Sequence, residues 1–288
     1  MKLVTFQESG VTRLGRLEDQ EVVDLSVAAP ELPTEMIALL EAGPDALSRA
    51  ATAEGSRLAL PVVALHSPVL RPPKILAVGL NYADHVAETG MDQPAVPMIF
   101  NKQSTSITGP YDEIHRPKVS DKLDYEGELA VVIGRRCRHV PRDRAQEVIA
   151  GYCIANDVSV RDWQMRVPTM TMGKSFDTHC PLGPALVTID EVGDGSGLSV
   201  TTMVNGETRQ QSNTKELIFD AYTLVEHLST AFTLEPGDVI STGTPGGVGA
   251  MMKPPQWLIA GDVIRIEIDG LGRIENTVVN EPDTATGF

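Results

Sequence analysis

Short apolar runs, separated by loops rich in glycine and proline, constrain the fold of this chain more than any other feature. The chain has 288 residues, including 25 glycines and 20 prolines. Only one long segment, Thr214–Leu228, repeats its apolar residues with helical spacing. Many strands with few helices argue against an alternating βαβ fold and predict an α+β or mainly-β domain. The runs predicted to be strands are Ile75–Gly79, Leu129–Ile133, Ile149–Ala155, Ala185–Thr188, Ser199–Val204, Val239–Thr242 and Val263–Ile268.

The first 70 residues have a different pattern, which predicts a small β-rich N-terminal domain. Three strand-like runs are followed by two short helical segments, and a proline-rich stretch then predicts a stiff connector. We therefore assign residues 1–70 to this domain and residues 71–288 to a catalytic domain. The N-terminal runs are Lys2–Phe6, Val11–Leu17 and Glu21–Leu25, and the helical segments are Thr34–Glu41 and Asp45–Ala53.

Composition excludes several classes of protein. The formal net charge of −15 repels phosphate backbones, so we expect no nucleic-acid partner. No apolar run approaches the roughly 20 residues of a membrane span, and the N-terminus lacks the apolar core of a signal peptide. We therefore expect a soluble, cytoplasmic protein. Three cysteines without Cys-x-x-Cys spacing argue against a disulfide framework and against a zinc cluster.

Three acidic residues are candidate metal ligands. Glu126 and Glu128 lie two positions apart at the start of the run Leu129–Ile133, so a strand would point both carboxylates to one face. A bound cation would relieve their mutual repulsion. Asp157 directly follows the run Ile149–Ala155 and could supply a third carboxylate. The alternatives are a solvated strand edge for the two glutamates and a turn cap for the aspartate.

A set of three carboxylates favours a hard cation, Mg²⁺ or Mn²⁺, over zinc, which prefers histidine and cysteine. Magnesium takes about six oxygen ligands, so about three positions would stay open. A 2-oxo acid could fill two of them with its carboxylate and keto oxygens. The acidic residues therefore indicate a small 2-oxo acid as substrate, though not uniquely.

His85 and Glu88 are a candidate catalytic pair. On the helix predicted over Asn81–Thr89 they are three residues apart and share a face. A glutamate beside a histidine orients the imidazole and raises its basicity, as a general base requires. The alternative is a surface ion pair without function.

Two loops carry further candidates. Lys174 lies among glycine, proline and small polar residues, where it could bind an anionic substrate or stabilise a developing enolate; a solvent-exposed lysine is the alternative. The loop Ser241–Gly249 follows a predicted strand, and its backbone N–H groups with the Thr244 hydroxyl could contact an anion. It lacks the spacing of a phosphate-binding loop.

Five segments, taken together and in this order, resemble the fumarylacetoacetate hydrolase family. The resemblance spans about Lys74 to the C-terminus, and the first 70 residues are similar to a small extra domain of many prokaryotic members. The segments are ILAVGLNYADHVAE (75–88), DYEGELAVVIG (124–134), GYCIANDVSVRDWQ (151–164), GKSFDTHCPLGP (173–184) and STGTPGGVG (241–249).

The resemblance implies a mixed β-sandwich roll, usually assembled as a homodimer. It implies Mg²⁺ on Glu126, Glu128 and Asp157, and a water-activating pair on a segment that orders as a lid over the substrate. The other residues matched to the family's site are His85 and Glu88 for the pair, Lys174 near the metal, Thr244 for the substrate carboxylate, and Arg161 and Gln164 for substrate binding.

The resemblance also implies a class of reaction. We expect hydrolysis of a carbon–carbon bond in a 2,4-dioxo acid, such as an acylpyruvate or a diketo sugar acid, through an enolate stabilised by the metal. The histidine–glutamate pair favours hydrolysis or decarboxylation over isomerisation by the metal alone. Oxaloacetate decarboxylation, isomerisation, hydration and lyase activity, including one like that of ureidoglycolate lyase, stay open. A non-catalytic metabolite-binding protein would be expected to lack the metal ligands or the base, and this chain has both.

Overall fold

The computed structural model describes residues 1–283, and strands dominate it. The N-terminal part contains strands β1 (Lys2–Glu8), β2 (Val11–Glu18), β3 (Glu21–Asp24), β4 (Arg57–Ala59) and β5 (Ala64–His66), and helices α1 (Leu25–Ala28), α2 (Met36–Glu41) and α3 (Pro44–Thr52). Strands β1, β2 and β3 and helices α2 and α3 agree closely with the five runs that the sequence predicts for this part, whereas β4, β5 and α1 were not predicted.

The remaining described residues add fourteen strands and four helices. The strands are β6 (Ile75–Gly79), β7 (Met98–Lys102), β8 (Ile107–Thr108), β9 (Ile114–Arg116), β10 (Leu123–Asp124), β11 (Gly127–Ile133), β12 (Ile149–Asn156), β13 (Ser159–Val160), β14 (Cys180–Thr188), β15 (Ser199–Val204), β16 (Glu207–Asn213), β17 (Val239–Ser241), β18 (Val263–Ile268) and β19 (Gly272–Asn280). The helices are α4 (Ala83–Thr89), α5 (Arg161–Gln164), α6 (Ile189–Val192) and α7 (Ala221–Ala231).

Two mixed sheets pack against each other. The larger sheet has the order β4-β3-β2-β1-β14-β12-β11-β17-β6-β7, with β5 beside β1 and β8 beside β14. The smaller sheet has the order β16-β15-β18-β19-β9, and β15, β18 and β19 lie against β11, β12 and β14. The predicted α+β, mainly-β fold class is therefore confirmed. None of the helices in residues 1–283 is long and apolar enough to cross a membrane.

Strand β11 is buried on both faces, which explains its continuous apolar sequence. Leu129, Val131 and Ile133 belong to the core shared with the smaller sheet, whereas Ala130 and Val132 belong to a second core with residues of the N-terminal part. Successive strand residues point to opposite faces, so both cores need apolar residues from this one strand.

The larger sheet runs without a break from the N-terminal part into the rest of the chain. Strand β1 pairs with β14, Lys2 opposite Val187, and Leu3 shares a core with Leu182 and Leu186. The division at residue 70 stays a prediction, and any boundary there would cut through one sheet and one core.

The predicted helix over Thr214–Leu228 is wrong in its first half. Residues Thr214–Glu216 form a 3₁₀ turn, and α7 begins only at Ala221, because Asp220 caps it by accepting a hydrogen bond from the Thr223 N–H. Of the intervening residues, Leu217 is extended and bridges to Tyr82, and the Ile218 N–H donates to the Asn81 carbonyl. The apolar spacing of this segment reflects a tertiary contact as well as a helix.

Candidate active site

Three buried carboxylates lie together where β11 begins and β12 ends. The two strands are antiparallel, with Gly127 opposite Asn156, so the residues just outside the pair are neighbours. The Asp157 N–H donates to the Glu126 carbonyl across this end at 2.9 Å. One oxygen from each of Glu126, Glu128 and Asp157 can be chosen so that all three lie within 4.8 Å of one another. The three residues predicted as metal ligands are therefore brought together.

The second sheet approaches this strand end so closely that only glycine fits between the two glutamates. A Cβ atom added to Gly127 would lie 2.2 Å from the Thr202 hydroxyl oxygen. The backbone of Gly127 is also held, because its N–H donates to Gln210 at 3.0 Å and its carbonyl accepts from Thr244 at 3.0 Å. These contacts fix the direction in which the flanking carboxylates point.

The pKa values of the two glutamates are shifted in opposite directions. Burial, reinforced by the neighbouring charges of Asp157 and Glu126, raises the pKa of Glu128 well above its ordinary value. Burial would also raise the pKa of Glu126, but Lys174 and Arg161 outweigh it and hold that pKa far below its ordinary value. Of the two glutamates, Glu126 therefore has compensating positive charge beside it and Glu128 does not.

Three cationic side chains surround the cluster. Lys174 Nζ donates to Glu126 Oε2 at 2.7 Å and to Asp157 Oδ2 at 2.8 Å. Lys102 Nζ donates to Asp157 Oδ1 at 2.6 Å, and its side chain is fully buried. Arg161 donates to Glu126 Oε1 at 2.5 Å. Among residues 1–283, Glu128 lies beside no cation at comparable distance and accepts instead from the Ser241 hydroxyl and the Gly243 N–H.

The residues present fit a hard divalent cation. All three donors are carboxylates buried side by side, and among residues 1–283 Glu128 has neutral hydrogen-bond donors but no cationic partner. Lys174 forms ion pairs with both Glu126 and Asp157 and so partly neutralises these two carboxylates. Glu126, Glu128 and Asp157 are the residues that would hold the cation.

The predicted catalytic pair lies on the short helix α4. His85 Nδ1 is 3.1 Å from Glu88 Oε2, and the other oxygen of Glu88 accepts from the Gly247 N–H at 3.0 Å. The glutamate is thus anchored by the glycine-rich loop and can orient the ring. No residue of α4 is buried, so this helix is positioned by polar contacts rather than by packing.

Two of those polar contacts come from Asp84, and three more come from Asn81, two residues before the helix begins. Asp84 accepts from the Ser212 hydroxyl at 2.6 Å and from the Gly246 N–H at 3.3 Å. Asn81 is fully engaged: its amide donates to the carbonyls of Phe219 and Thr242, and its oxygen accepts from the Phe219 N–H.

A cavity of about 390 Å³ lies between α4 and the carboxylate cluster. Much of its wall is apolar, including Met98, Phe100 and Val248. Six of the nine residues predicted for the site line it: His85, Glu126, Arg161, Gln164, Lys174 and Thr244. Glu128 and Asp157 lie in the same carboxylate cluster as Glu126, and Glu88 is in contact with His85.

The hydrogen bonds of the predicted substrate-binding residues limit which donors and acceptors each residue has available for a substrate. Thr244 donates its hydroxyl to the Gly127 carbonyl and accepts from Gln210 at 2.7 Å, so its proton is already engaged. Gln164 accepts from Arg161 at 3.0 Å. Arg161 also donates to Asp124 at 2.8 Å. The substrate-binding roles of Arg161, Gln164 and Thr244 stay predictions.

Sequence reasoning missed two residues of the site, Lys102 and Asp124. Lys102 ends strand β7, which we did not predict. The only sequence signal for this strand was a short apolar run shortly before the lysine. Asp124 is fully buried and accepts from Arg161 and from the N–H groups of Gly249 and Ala250. It lies in the same acidic segment as Glu126 and Glu128, but its role is to hold the arginine and a loop.

Comparison with known proteins extends this description. The family described as fumarylacetoacetate (FAA) hydrolase C-terminal matches residues 74–279. A mitochondrial oxaloacetate tautomerase of Xenopus laevis is 45% identical over 97% of this chain and 90% of its own length.

Two solved structures are similar over 98% of this chain and the whole of their own. A fumarylacetoacetate hydrolase from Exiguobacterium antarcticum has a TM-score of 0.87 at 38% identity. A maleylpyruvate hydrolase from Sphingobium sp. SYK-6, solved with manganese(II) and pyruvate, has a TM-score of 0.81 at 31% identity.

Proposed function

Because the chain belongs to the fumarylacetoacetate hydrolase family, we propose that it is a divalent-metal-dependent enzyme that enolises a small 2-oxo acid. The observation that carries this proposal is one cavity bordered by His85, Lys174 and the carboxylate cluster. Enolisation needs a base at the carbon next to the keto group and positive charge at the keto oxygen. The cavity offers candidates for both.

The metal in this proposal is Mg²⁺, or Mn²⁺ in its place, held by Glu126, Glu128 and Asp157. A divalent cation supplies a Lewis acid that polarises the keto group and stabilises developing negative charge. The manganese(II) in the maleylpyruvate hydrolase structure supports a divalent metal in a related protein.

The protein's own residues would handle the proton. In this proposal His85 accepts a proton from the carbon next to the keto group, and Glu88 orients the imidazole through their 3.1 Å contact. Lys174 places a second positive charge beside the cluster, close to where the enolate oxygen would form. The apolar wall of the cavity would exclude water and so strengthen these interactions.

For the overall reaction we propose keto–enol tautomerisation of oxaloacetate. The name of the Xenopus laevis relative supports this choice, since the similarity covers nearly the whole of both chains. The sequence alone favoured hydrolysis or decarboxylation over isomerisation. The name of this relative instead supports tautomerisation, so we place that reaction first. Tautomerisation uses the same base and the same positive charge but moves only a proton.

Hydrolysis of a carbon–carbon bond in a 2,4-dioxo acid is the second candidate. The His85–Glu88 pair favours it, because such a pair can take a proton from water as well as from carbon. The apolar wall of the cavity suits an acylpyruvate with an aliphatic group better than it suits the second carboxylate of oxaloacetate. The maleylpyruvate hydrolase bound to pyruvate is a related protein with a hydrolase name.

The two candidates can be separated with one preparation of protein. The absorbance of enol-oxaloacetate reports tautomerisation, and release of pyruvate from acetylpyruvate reports hydrolysis. We expect faster enol decay than in buffer, loss of this effect on chelation, and recovery with Mg²⁺ or Mn²⁺. Cleavage of acetylpyruvate without any effect on oxaloacetate would select the second candidate, and inactivity on both would refute the proposal.

Assembly and location remain predictions. The resemblance implies a homodimer, and composition predicts a cytoplasmic protein, whereas the tautomerase of Xenopus laevis carries a mitochondrial name. Size-exclusion chromatography with light scattering would test the first prediction, and fractionation of the source cells would test the second.

A further inference from the structure

The loop that joins β11 to β12 carries an unusual concentration of positive charge. Five of the chain's 24 basic side chains lie within residues 135–144, although the formal net charge of the chain is −15. The carboxylate cluster lies where β11 begins and β12 ends, so this loop is at the opposite end of both strands. The five residues are Arg135, Arg136, Arg138, Arg142 and Arg144.

Two of these arginines have a structural task, which is to hold helix α7 at both ends. Arg142 pairs with the capping residue Asp220. Arg138 donates to the carbonyls of Ser229 and Thr230 in the last turn, at 2.9 and 3.0 Å. Cationic groups at a helix C-terminus satisfy carbonyls that lack partners within the helix.

The other three arginines have no such task. Arg135 makes no ion pair and no side-chain hydrogen bond with any of residues 1–283 that meets ordinary distance limits. Arg136 contacts Glu235 at 3.2 Å, and Arg144 contacts Glu147 at 2.7 Å, but all four side chains are exposed. Exposed pairs of this kind contribute at most about 1 kcal/mol, so stabilising the fold does not account for this cluster.

The arginines line a concave surface. A cavity of about 320 Å³ is bordered by Arg135, Arg136, Arg138, His139 and Arg144. It adjoins a groove of about 590 Å³, since Arg135, Arg136, Glu147 and Val148 border both.

The far part of the groove is aliphatic. Leu40 and Leu47, from the helices of the N-terminal part, face Ile149 and Ala150 of strand β12 across it, with Pro236 beside them. One end of this continuous surface is therefore cationic, and the other end is apolar.

We propose that this surface binds an amphiphilic anion, with its phosphate or carboxylate head on Arg135 and Arg136 and its aliphatic tail in the groove towards Leu40 and Leu47. Guanidinium groups match phosphate and carboxylate oxygens in geometry and in charge. Each methylene that the groove buries should tighten binding about fourfold.

The acidic residues along the surface limit this attraction without cancelling it. At the cationic end, Arg135, Arg136, Arg138 and Arg144 face Glu147 and Glu235, which leaves an excess of two positive charges. Glu41 lies at the apolar end, away from the head group. Because the arginines are exposed, binding of the head group should weaken as ionic strength rises.

Calorimetric titration with three probes tests the proposal: inorganic phosphate, octanoate, and octyl phosphate below its critical micelle concentration. The two amphiphiles separate a carboxylate head from a phosphate head. We expect octyl phosphate to bind more tightly than inorganic phosphate by roughly 10²-fold or more. The double variant R135A/R136A should lose about tenfold or more in affinity for octyl phosphate.

The matched control is K118A/R265A, which removes the same charge from ion pairs on elements that line neither the cavity nor the groove. It should bind octyl phosphate like the wild type. Both double variants should keep the thermal transition and the enzymatic activity of the wild type, because no altered residue borders the active-site cavity.

Three results would overturn the proposal. Equal affinity for octyl phosphate and inorganic phosphate would exclude the aliphatic half of the site. Equal losses in R135A/R136A and in K118A/R265A would reduce the effect to net charge. No binding of either amphiphile by the wild type at millimolar concentration would exclude the site altogether.

Discussion

The carboxylate cluster and helix α4 border the same cavity but are built in opposite ways. Glu126, Glu128 and Asp157 are at most 6% exposed and project from the ends of two central strands. His85 and Glu88 lie on a seven-residue helix without a single buried residue. The proposed metal ligands are thus fixed by the core of the fold, and the proposed base is held by a few polar contacts.

This difference suggests a division of labour. Ligands for a hard cation must be placed before the cation arrives, and close packing provides that placement. A base that acts on a substrate must leave room for entry and release, and an element with few buried contacts can move at low cost. Variants in the cluster should therefore affect metal binding, whereas variants on α4 should affect only the rate.

The largest effect is expected from the cluster itself. Glu128→Gln or Asp157→Asn should lower kcat by about 10³-fold or more, because the cation that stabilises the enolate is lost. Without metal, Glu128→Gln should melt at a higher temperature than the wild type, since it removes the burial of a charge and the repulsion that together raise the pKa of Glu128.

Calorimetry in the presence of Mn²⁺ provides the readout for these variants. Mn²⁺ should raise the melting temperature of the wild type by mass action and leave both variants unchanged. Full activity of either variant after chelation would show that activity does not depend on a metal held by the cluster.

His85→Gln should produce the next largest effect. Glutamine keeps hydrogen-bonding capacity but cannot take up a proton, so kcat should fall by roughly 10² to 10⁴-fold. Affinity for Mn²⁺, measured by titration, should equal that of the wild type. A collapse of Mn²⁺ affinity would show that His85 is a metal ligand. An unchanged kcat would show that the His85–Glu88 pair is a surface contact without a catalytic role.

A substitution of Lys102 tests how the buried carboxylate cluster depends on its cationic partners. Lys102→Met leaves a buried carboxylate oxygen of Asp157 without its ammonium partner, so the metal-free protein should lose about 3 kcal/mol of unfolding free energy. The matched control is Lys74→Met, which removes a lysine 2.7 Å from the buried Asp238 but far along the sequence from the cluster.

Denaturant unfolding with and without Mg²⁺ distinguishes the two lysines. Mg²⁺ should stabilise Lys102→Met more than it stabilises the wild type, because the cation replaces the positive charge that Asp157 has lost. Lys74→Met should gain no more than the wild type. Equal gains in both variants would mean that Lys102 contributes only to packing.

The smallest effect is expected from Glu88→Gln. Its amide can still contact His85 and the Gly247 N–H, but it no longer offers a negative charge to the imidazolium. We expect a loss in kcat of about tenfold, smaller than for His85→Gln, with unchanged Mn²⁺ affinity. A loss as large as that of His85→Gln would assign Glu88 a proton-transfer role of its own.

The sequence predicted those parts of the molecule in which local pattern and tertiary role coincide. The apolar run Leu129–Ile133 is buried on both faces, and the flanking Glu126 and Glu128 could be placed by strand geometry alone. Strand β6 was predicted with its observed bounds, Ile75–Gly79, for the same reason.

The parts that could not be predicted depend on contacts between distant segments. Strands β16 and β19 are rich in polar residues because their outer faces are exposed, so hydrophobic pattern did not reveal them. Lys102 and Asp124 owe their roles to partners 55 and 37 residues away. The start of α7 could not be predicted because Leu217 pairs with Tyr82, a residue distant in sequence, instead of joining the helix.

Exchange of the methyl protons of pyruvate for deuterium, followed by NMR in D₂O, tests the central claim most directly. Exchange requires the enolate and nothing beyond it, so it does not depend on which overall reaction is correct. We predict exchange that depends on Mg²⁺ or Mn²⁺ in the wild type, is abolished in Glu128→Gln, and is strongly slowed in His85→Gln. Exchange at the buffer rate with metal present, or at the wild-type rate after exhaustive chelation, would contradict the account.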